Sequence, residues 1–161
     1  MQTIDGLPPA ITTDIICGFP GETEQDFEET CQVVETARFL HMHVFPYSAR
    51  PGTASARWTS EHLDQQLVRQ RVRQLIDRET DPNDGLSIRY RQRLLNKRVR
   101  IIVEEQTTGG VAGRCDHYVK IQLASSAARG TLLEARVTDV HQHETLATEI
   151  TPSYKLPVLT S

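Results

Sequence analysis

Residues 11–21, ITTDIICGFPG, are the stretch that decides the fold of the first third of this chain. The segment is β-branched and apolar until the glycines Gly18 and Gly21, which predicts a buried strand that ends in a tight turn. Thr23 then stands as a helix cap with Asp26 three residues on, an arrangement like a capping box. The sequence therefore predicts a strand that leads through a tight turn into a helix.

A helix and a second strand complete a repeating unit. Phe27, Cys31 and Val34 are spaced so that they share one apolar helix face. A short strand is predicted at residues 42–45, and residues 47–53 form the loop after it. The order strand, helix, strand predicts a parallel βαβ unit with a right-handed crossover.

The middle of the chain is predicted to be helical and rich in arginine. From near Ser60, apolar residues recur at helical spacing (Leu63, Leu67, Val72, Leu75, Ile76), and the polar side carries Arg69, Arg71, Arg73 and Arg78. A second helix is predicted to begin at Pro82 and to end at Asn96 in the left-handed conformation. Residues 56–95 hold eight arginines against six acids. This surplus fits either an anion-binding surface or a solvated helix face.

Beyond Lys97 the hydrophobic period changes to two. Strands are predicted at residues 99–103, 117–121, 132–138 and, more weakly, 143–150, with glycines 109, 110, 113 and 130 between them. This pattern predicts a small antiparallel barrel, followed by a tail.

Composition limits the class of protein. The 161 residues are 38% hydrophobic and 24% charged, with a net charge of −3, and no apolar run is long enough for a membrane span. The beginning of the sequence lacks the pattern of a signal peptide, so a cytoplasmic protein is expected. Three widely spaced cysteines fit a reducing compartment and provide no disulfide framework.

Three segments together carry a resemblance to a known family. They are residues 13–27 (TDIICGFPGETEQDF), 43–53 (HVFPYSARPGT) and 113–121 (GRCDHYVKI). Their order and spacing resemble the radical SAM tRNA methylthiotransferases, and the second segment is most similar to the branch that acts on threonylcarbamoyladenosine beside the anticodon. The third segment is similar to the TRAM domain that closes these enzymes.

The resemblance implies a fold and a domain order. We expect an α/β fragment of a radical SAM half-barrel at residues 1–58, linking helices at 59–95, an all-β TRAM barrel at 96–150 and a tail at 151–161. The chain would then be a truncated gene product, an excised piece or one part of a split protein, with the missing part as a partner. The parent enzyme uses S-adenosylmethionine and 4Fe-4S clusters. The sequence has no CxxxCxxC, so no cofactor is expected on this chain alone.

The resemblance also implies two sets of site residues. The first set borders the S-adenosylmethionine site: Ile16, Gly18, Phe19, Gly21, Glu22 and Arg50. The two glycines could instead only form the turn, and Arg50 could serve the cofactor, the tRNA or a nearby acid. The second set is expected to bind tRNA: Lys97, Arg98, Arg100, Arg114, His117, Tyr118 and Lys120. The alternative is an exposed polar face with Tyr118 in the core.

Metal and catalytic residues are not evident in the sequence. His41 and His43, and likewise His141 and His143, are two apart on predicted strands, but neither pair has an obvious third ligand. No metal site is expected, and the catalytic residues are unknown. The sequence thus predicts the C-terminal part of a tRNA methylthiotransferase, with a non-catalytic RNA-binding module or an inactive fragment as alternatives.

Overall fold

The computed structural model describes residues 6–150 and the backbone of Tyr154 and Lys155. These residues form two compact units. One comprises residues 11–87, and the other comprises the described residues of 6–10 and of 88–155. The predicted domain limits at residues 58 and 95 stay predictions. The predicted tail lies outside the described residues except for those two residues.

The first unit is built on a parallel pair of strands. Strand β1 (Thr12–Cys17) leads into helix α1 (Glu24–Ala37), and β2 (His41–Pro46) returns beside β1 with Thr12 opposite His41. The loop after β2 holds two 3₁₀ turns, Ser55–Arg57 and Thr59–Glu61, before helix α2 (Gln65–Thr80). The predicted strand, helix, strand order is confirmed, and so is the capping box of Thr23 and Asp26.

One face of the two-stranded sheet lies in the core and the other is open. The core contains Cys17, Phe27, Cys31, Val34, Met42, Leu75 and Leu86, so the predicted apolar face of α1 is confirmed. The alternate residues of both strands point the other way and are exposed, among them Ile16 at 59% and Phe45 at 49%. The structure therefore leaves a mixed sheet face, which carries the apolar Ile16 and Phe45 at the carboxyl ends of the strands, without a cover among the described residues of this unit.

Helix α2 corrects the predicted middle segment. It begins at Gln65 after the cap Asp64, later than expected. Arg71, predicted on the polar side, is buried at 3% exposure, while Ile76, predicted in the apolar stripe, is 43% exposed. The buried stripe instead runs through Val68, Arg71, Leu75 and Glu79. Charged groups enter this stripe because they meet polar partners across the core.

The next helix also begins later than predicted. The Asp81 carboxylate accepts the backbone N–H groups of Asn83 and Asp84 at 2.8 and 2.9 Å, which makes a turn around Pro82. Helix α3 spans Leu86–Gln92. Asn96 has the predicted left-handed conformation, with φ of 63°, but it does not end the helix, whose last residue is Gln92.

The second unit contains a closed five-stranded barrel. Its strands are β3 (Arg98–Thr107), β4 (Gly110–Cys115), β5 (Lys120–Leu123), β6 (Thr131–Val140) and β7 (Thr145–Glu149). They neighbour one another in the order β3, β4, β5, β7, β6, and β6 pairs with β3 to close the circle. The predicted antiparallel pairing is right except for β5 and β7, which are parallel. A short strand β8 (Tyr154–Lys155) pairs with β6.

Two strands of the barrel differ from the prediction. Strand β4 was expected to be a glycine-rich connection. It can pair with β3 because Gly113 has no side chain, which lets the two backbones lie close together. A Cβ on Gly113 would lie 1.9 Å from the carbonyl oxygen of Ile102 in β3. The strand predicted at 117–121 begins only at Lys120, and His117 and Tyr118 form the turn before it. In the part of the chain that the structure describes, no helix is long and apolar enough to cross a bilayer.

Candidate cofactor rim and nucleic-acid interface

The turn after β1 is fixed by contacts inside its own unit. Gly18 has φ of 77°, and a Cβ on it would lie 2.4 Å from a methyl carbon of Val68. Its N–H donates to the Glu22 carboxylate, and the Gly21 N–H donates to the Glu61 carbonyl oxygen at 2.9 Å. Both glycines are therefore explained by the turn and its packing. Their N–H groups are already used, so they do not point freely at a ligand.

The buried side chain of Arg71 in α2 contacts the residues that follow this turn. Its guanidinium lies 3.4 Å from the Glu22 carboxylate and 2.8 Å from that of Glu24, and it donates to the Glu22 carbonyl oxygen at 3.3 Å. The guanidinium carbon also lies 5.0 Å from the centroid of the Phe27 ring, a cation–π distance. The result is a buried polar support that fixes Glu22 and, through it, the turn.

Three aromatic side chains, Phe19, Tyr47 and Trp58, form what we call the aromatic cluster. The Phe19 ring is close to perpendicular to those of Tyr47 and Trp58, with centroid distances of 5.4 and 6.2 Å. Phe19 and Trp58 keep 45% and 42% of their surface exposed. The Tyr47 hydroxyl is buried and has no hydrogen-bond partner among the described residues. The cluster stands just beyond the carboxyl ends of β1 and β2.

Arg50 lies in the loop after β2. Its carbonyl oxygen accepts the Thr53 N–H at 3.2 Å and the Thr53 hydroxyl at 2.8 Å, which folds the loop back on itself. Its side chain is exposed, and it makes no ion pair with any residue that the structure describes. The predicted alternative of a nearby acidic partner is therefore not found in the described part of the chain.

The basic residues of the barrel are largely matched by acids. Four ion pairs lie within the described part of the barrel: Arg98 with Glu134 at 2.8 Å, Arg100 with Asp116 at 2.9 Å, Arg114 with Glu104 at 3.5 Å and Lys120 with Glu105 at 2.6 Å. Arg98 and Arg100 point to the same outer face of β3, as alternation predicts. Together with Lys97, they line a groove of about 500 Å³ that the acid Glu134 also borders.

Sequence reasoning missed Arg136 in this groove. Arg136 stands opposite Arg98 in the β3–β6 pairing and donates to the Asn96 carbonyl oxygen at 2.7 Å. The period-two pattern of residues 132–138 carried the signal, since it would place Arg136 outward.

Tyr118 and His117 have opposite environments. Tyr118 is 72% exposed and has φ of 59°, so the alternative that placed it in the core is wrong. His117 is 1% exposed, and its Nδ1 lies 3.1 Å from the Tyr90 hydroxyl. We correct its placement from the surface to the interior, because this buried hydrogen bond gives the ring its polar partner.

The cysteines do not fit iron–sulfur ligands. Cys17, Cys31 and Cys115 are all buried and unpaired. Burial raises the pKa of the Cys17 thiol to about 11, whereas a cluster ligand must be a thiolate. Among the described residues, no group of three or more His, Cys, Asp or Glu side chains is placed to hold a metal.

The histidine pairs take part in other contacts. The rings of His41 and His43 meet at 4.4 Å between centroids, and His41 Nδ1 lies 2.5 Å from the Glu79 carboxylate. That carboxylate also accepts the Met42 N–H at 2.8 Å, so Glu79 fastens α2 to the edge of β2. His141 begins the β6–β7 turn, and its carbonyl oxygen accepts Arg91 at 2.7 Å.

Comparison with known proteins gives consistent relatives. No family model matches the chain. It is 34% identical over 149 residues to tRNA-2-methylthio-N(6)-dimethylallyladenosine synthase 1 of Mycobacterium marinum, covering 86% of this chain and 27% of the relative. It is 37% identical over 112 residues to the threonylcarbamoyladenosine tRNA methylthiotransferase of Thermotoga maritima, covering 69% and 25%. The dimethylallyladenosine synthase of Saccharopolyspora erythraea is 36% identical over 155 residues, covering 88% and 30%.

The names of these relatives specify two different modified adenosines. The percentages of residues identical to this chain are nearly the same for both kinds, so they do not favour either one. The chain spans less than a third of the length of each. The predicted preference for threonylcarbamoyladenosine therefore stays a prediction.

Proposed function

We propose that this chain, which belongs to the tRNA methylthiotransferase family, supplies part of a cofactor rim and a tRNA-binding barrel. The complete reaction would be methylthiolation of a tRNA adenosine next to the anticodon. Homology over 86% of the chain supports the family. The exposed cations and Tyr118 on a closed barrel are the observation that carries the RNA-binding part.

The rim proposal rests on the open face and ends of β1 and β2. Ligands of parallel α/β barrels lie at the carboxyl ends of the strands. Here those ends carry the exposed apolar side chains of Ile16 and Phe19. We therefore assign β1, α1 and β2 to the last part of a radical SAM half-barrel whose interior is the open sheet face.

The residues of the rim fit an adenosyl group. Ile16 and Phe19 would give it apolar contact, while Glu22 and its support Arg71 would hold the turn in place. S-adenosylmethionine, when bound, supplies the methyl group and the radical of the reaction. The iron–sulfur clusters do not fit the three buried cysteines of this chain, so their ligands would have to come from elsewhere.

The RNA-binding proposal rests on the outer surface of the barrel. Arg98, Arg100, Arg114 and Lys120 are all exposed there, and Tyr118 projects from the turn between β4 and β5. Exposed aromatic rings beside basic groups bind unstacked bases and RNA backbone. Phosphates would replace the surface carboxylates as partners, which costs little because exposed ion pairs contribute only about 0–1 kcal/mol each.

The leading alternative is a non-catalytic RNA-binding module. It is favoured by the three cysteines, which are buried and therefore do not offer a cluster site on this chain. The surface that would then function in this chain alone is the barrel. Anaerobic reconstitution with iron and sulfide tests whether this chain ligates a cluster by itself: we expect no iron–sulfur absorption band from this chain alone. A stable band would assign cluster ligation to it.

Binding to tRNA tests the proposal directly. Fluorescence anisotropy of labelled tRNA should report binding by the full chain at low salt. Tyr118→Ala should raise Kd about fivefold or more, the usual loss of one base–aromatic stack. Tyr118→Phe keeps the ring and should bind as the unmodified chain does. Equal Kd values for the alanine and phenylalanine variants would remove Tyr118 from the interface.

A further inference from the structure

We propose that the aromatic cluster, with Arg50 and Arg57, is a second RNA contact that stacks an unpaired base and binds its phosphate. This inference rests on the proposed function and extends it, because it places substrate contact on the first unit as well as on the barrel.

The geometry of the cluster suits a flat ring. Phe19 and Trp58 are held edge to face at 6.2 Å, and each keeps nearly half of its surface exposed. The backbone of Trp58 is held by local hydrogen bonds: its backbone N–H donates to the Ser55 carbonyl oxygen at 3.2 Å, and its carbonyl oxygen accepts the Glu61 N–H at 2.9 Å. Exposed aromatic side chains that already pack against one another provide stacking surfaces for bases.

The cluster also contains an unsatisfied polar group. The Tyr47 hydroxyl is buried without a hydrogen-bond partner among the described residues, although buried polar groups are nearly always paired. Because this hydroxyl is enclosed, an occupant of the cluster would meet the exposed surfaces of Phe19 and Trp58 rather than this group.

Charge favours an anionic occupant. Arg50 and Arg57 are exposed in the loop that carries Trp58, and neither has an ion pair within the described part of the chain. The barrel cations Arg98 and Lys120, in contrast, already have carboxylate partners. A phosphate can therefore bind in this loop without displacing an acid.

Together these features select a nucleotide within single-stranded RNA. The aromatic faces take the base, and the arginines take the phosphate. The location agrees with the proposed function, because the base to be modified would have to reach the proposed cofactor rim.

Trp58 is the only tryptophan of the chain, so its fluorescence reports this site alone. We would titrate the full chain with a single-stranded oligoribonucleotide of the anticodon loop, following both Trp58 emission and the anisotropy of a labelled copy. Free adenosine and S-adenosylhomocysteine form separate arms. Saturable quenching by the RNA, with the same Kd as the anisotropy, is expected.

Variants separate this contact from the barrel. Trp58→Leu and Arg50→Ala should each raise the anisotropy Kd about fivefold, whereas Trp58→Phe should leave it unchanged. Tyr118→Ala should weaken binding without reducing the final quench. Ile76→Ala, which removes an equally exposed apolar group from α2, is the matched control and should have no effect.

Three results would overturn the inference. RNA that binds without quenching Trp58 refutes it while leaving the barrel proposal intact. Quenching by free adenosine or S-adenosylhomocysteine but not by RNA assigns the cluster to the cofactor instead. Absence of any RNA binding refutes both proposals.

Discussion

Arg71→Ala should destabilise the first unit strongly. The substitution removes a guanidinium that is 3% exposed and leaves the Glu22 carboxylate, itself only 12% exposed, without its cation. Breaking a buried pair in this way costs about 3–5 kcal/mol, because one charge stays desolvated. The pair with Glu24 adds little to this cost, since that carboxylate is 68% exposed and screened by water. We therefore expect the free energy of unfolding to fall by about 3 kcal/mol.

Urea denaturation followed by Trp58 fluorescence measures this loss, because the single tryptophan lies in the same unit. Arg73→Ala, on the exposed side of the same helix, is the matched control and should stay within about 0.5 kcal/mol of the unmodified chain. The double variant Arg71→Met with Glu22→Gln removes both charges and should recover most of the stability. A loss below about 1 kcal/mol for Arg71→Ala would show that the buried pair does not hold the turn.

Three further outcomes follow from the structure. Gly113→Ala should lower the free energy of unfolding of the barrel by about 3 kcal/mol, measured by thermal unfolding. Gly109→Ala, where a Cβ would meet open space, is the control and should leave it unchanged. Equal melting temperatures for the two variants would refute the close β3–β4 approach. Burial raises the pKa of the Cys17 thiol from 9.0 to about 11, so the thiol of the unfolded chain loses its proton at a lower pH than that of the folded chain. The free energy of unfolding should therefore be constant below about pH 9 and fall between about pH 9 and 11. Cys17→Ala should flatten that decline, and an unchanged alkaline profile would count against the buried thiol. Hydrogen exchange should be faster in β1 and β2 than in the barrel strands, because an open sheet face and edge leave amides less protected; equal protection in dilute monomer would contradict this.

Local signals in the sequence predicted much of the fold. The capping residues Thr23 and Asp26 and the apolar spacing of Phe27, Cys31 and Val34 gave helix α1, because caps and periodicity act within a few residues. Period-two runs likewise gave β3 and β6.

The errors arose where a distant partner decides the environment. Arg71 and Glu79 are polar by type and yet buried, because Glu22 and the β2 backbone, far away in sequence, satisfy their charges. Gly113 looks like a turn residue in the sequence, but in the structure it lies in a strand and its backbone approaches Ile102 closely. Neighbouring residues in one turn, His117 and Tyr118, also differ: one is buried against Tyr90 and the other is exposed.

The candidate sites also contain residues that sequence motifs identify and residues that only the fold brings together. The motifs named the residues of the proposed rim and barrel surfaces, and the roles of those residues stay predictions. The aromatic cluster was not, because Trp58 meets Phe19 only through the fold of the loop after β2.

The salt dependence of tRNA binding tests the central claim most directly. If the exposed cations of the barrel and the loop bind phosphates, log Kd should rise linearly with log salt. Three or more contacts would give a slope of about 2 or steeper, at roughly 0.7–0.9 per phosphate. Arg98→Ala should lower that slope by about one contact. Binding at low salt no better than that of an unrelated acidic protein, or a slope near zero, would contradict the assignment of this chain to tRNA binding.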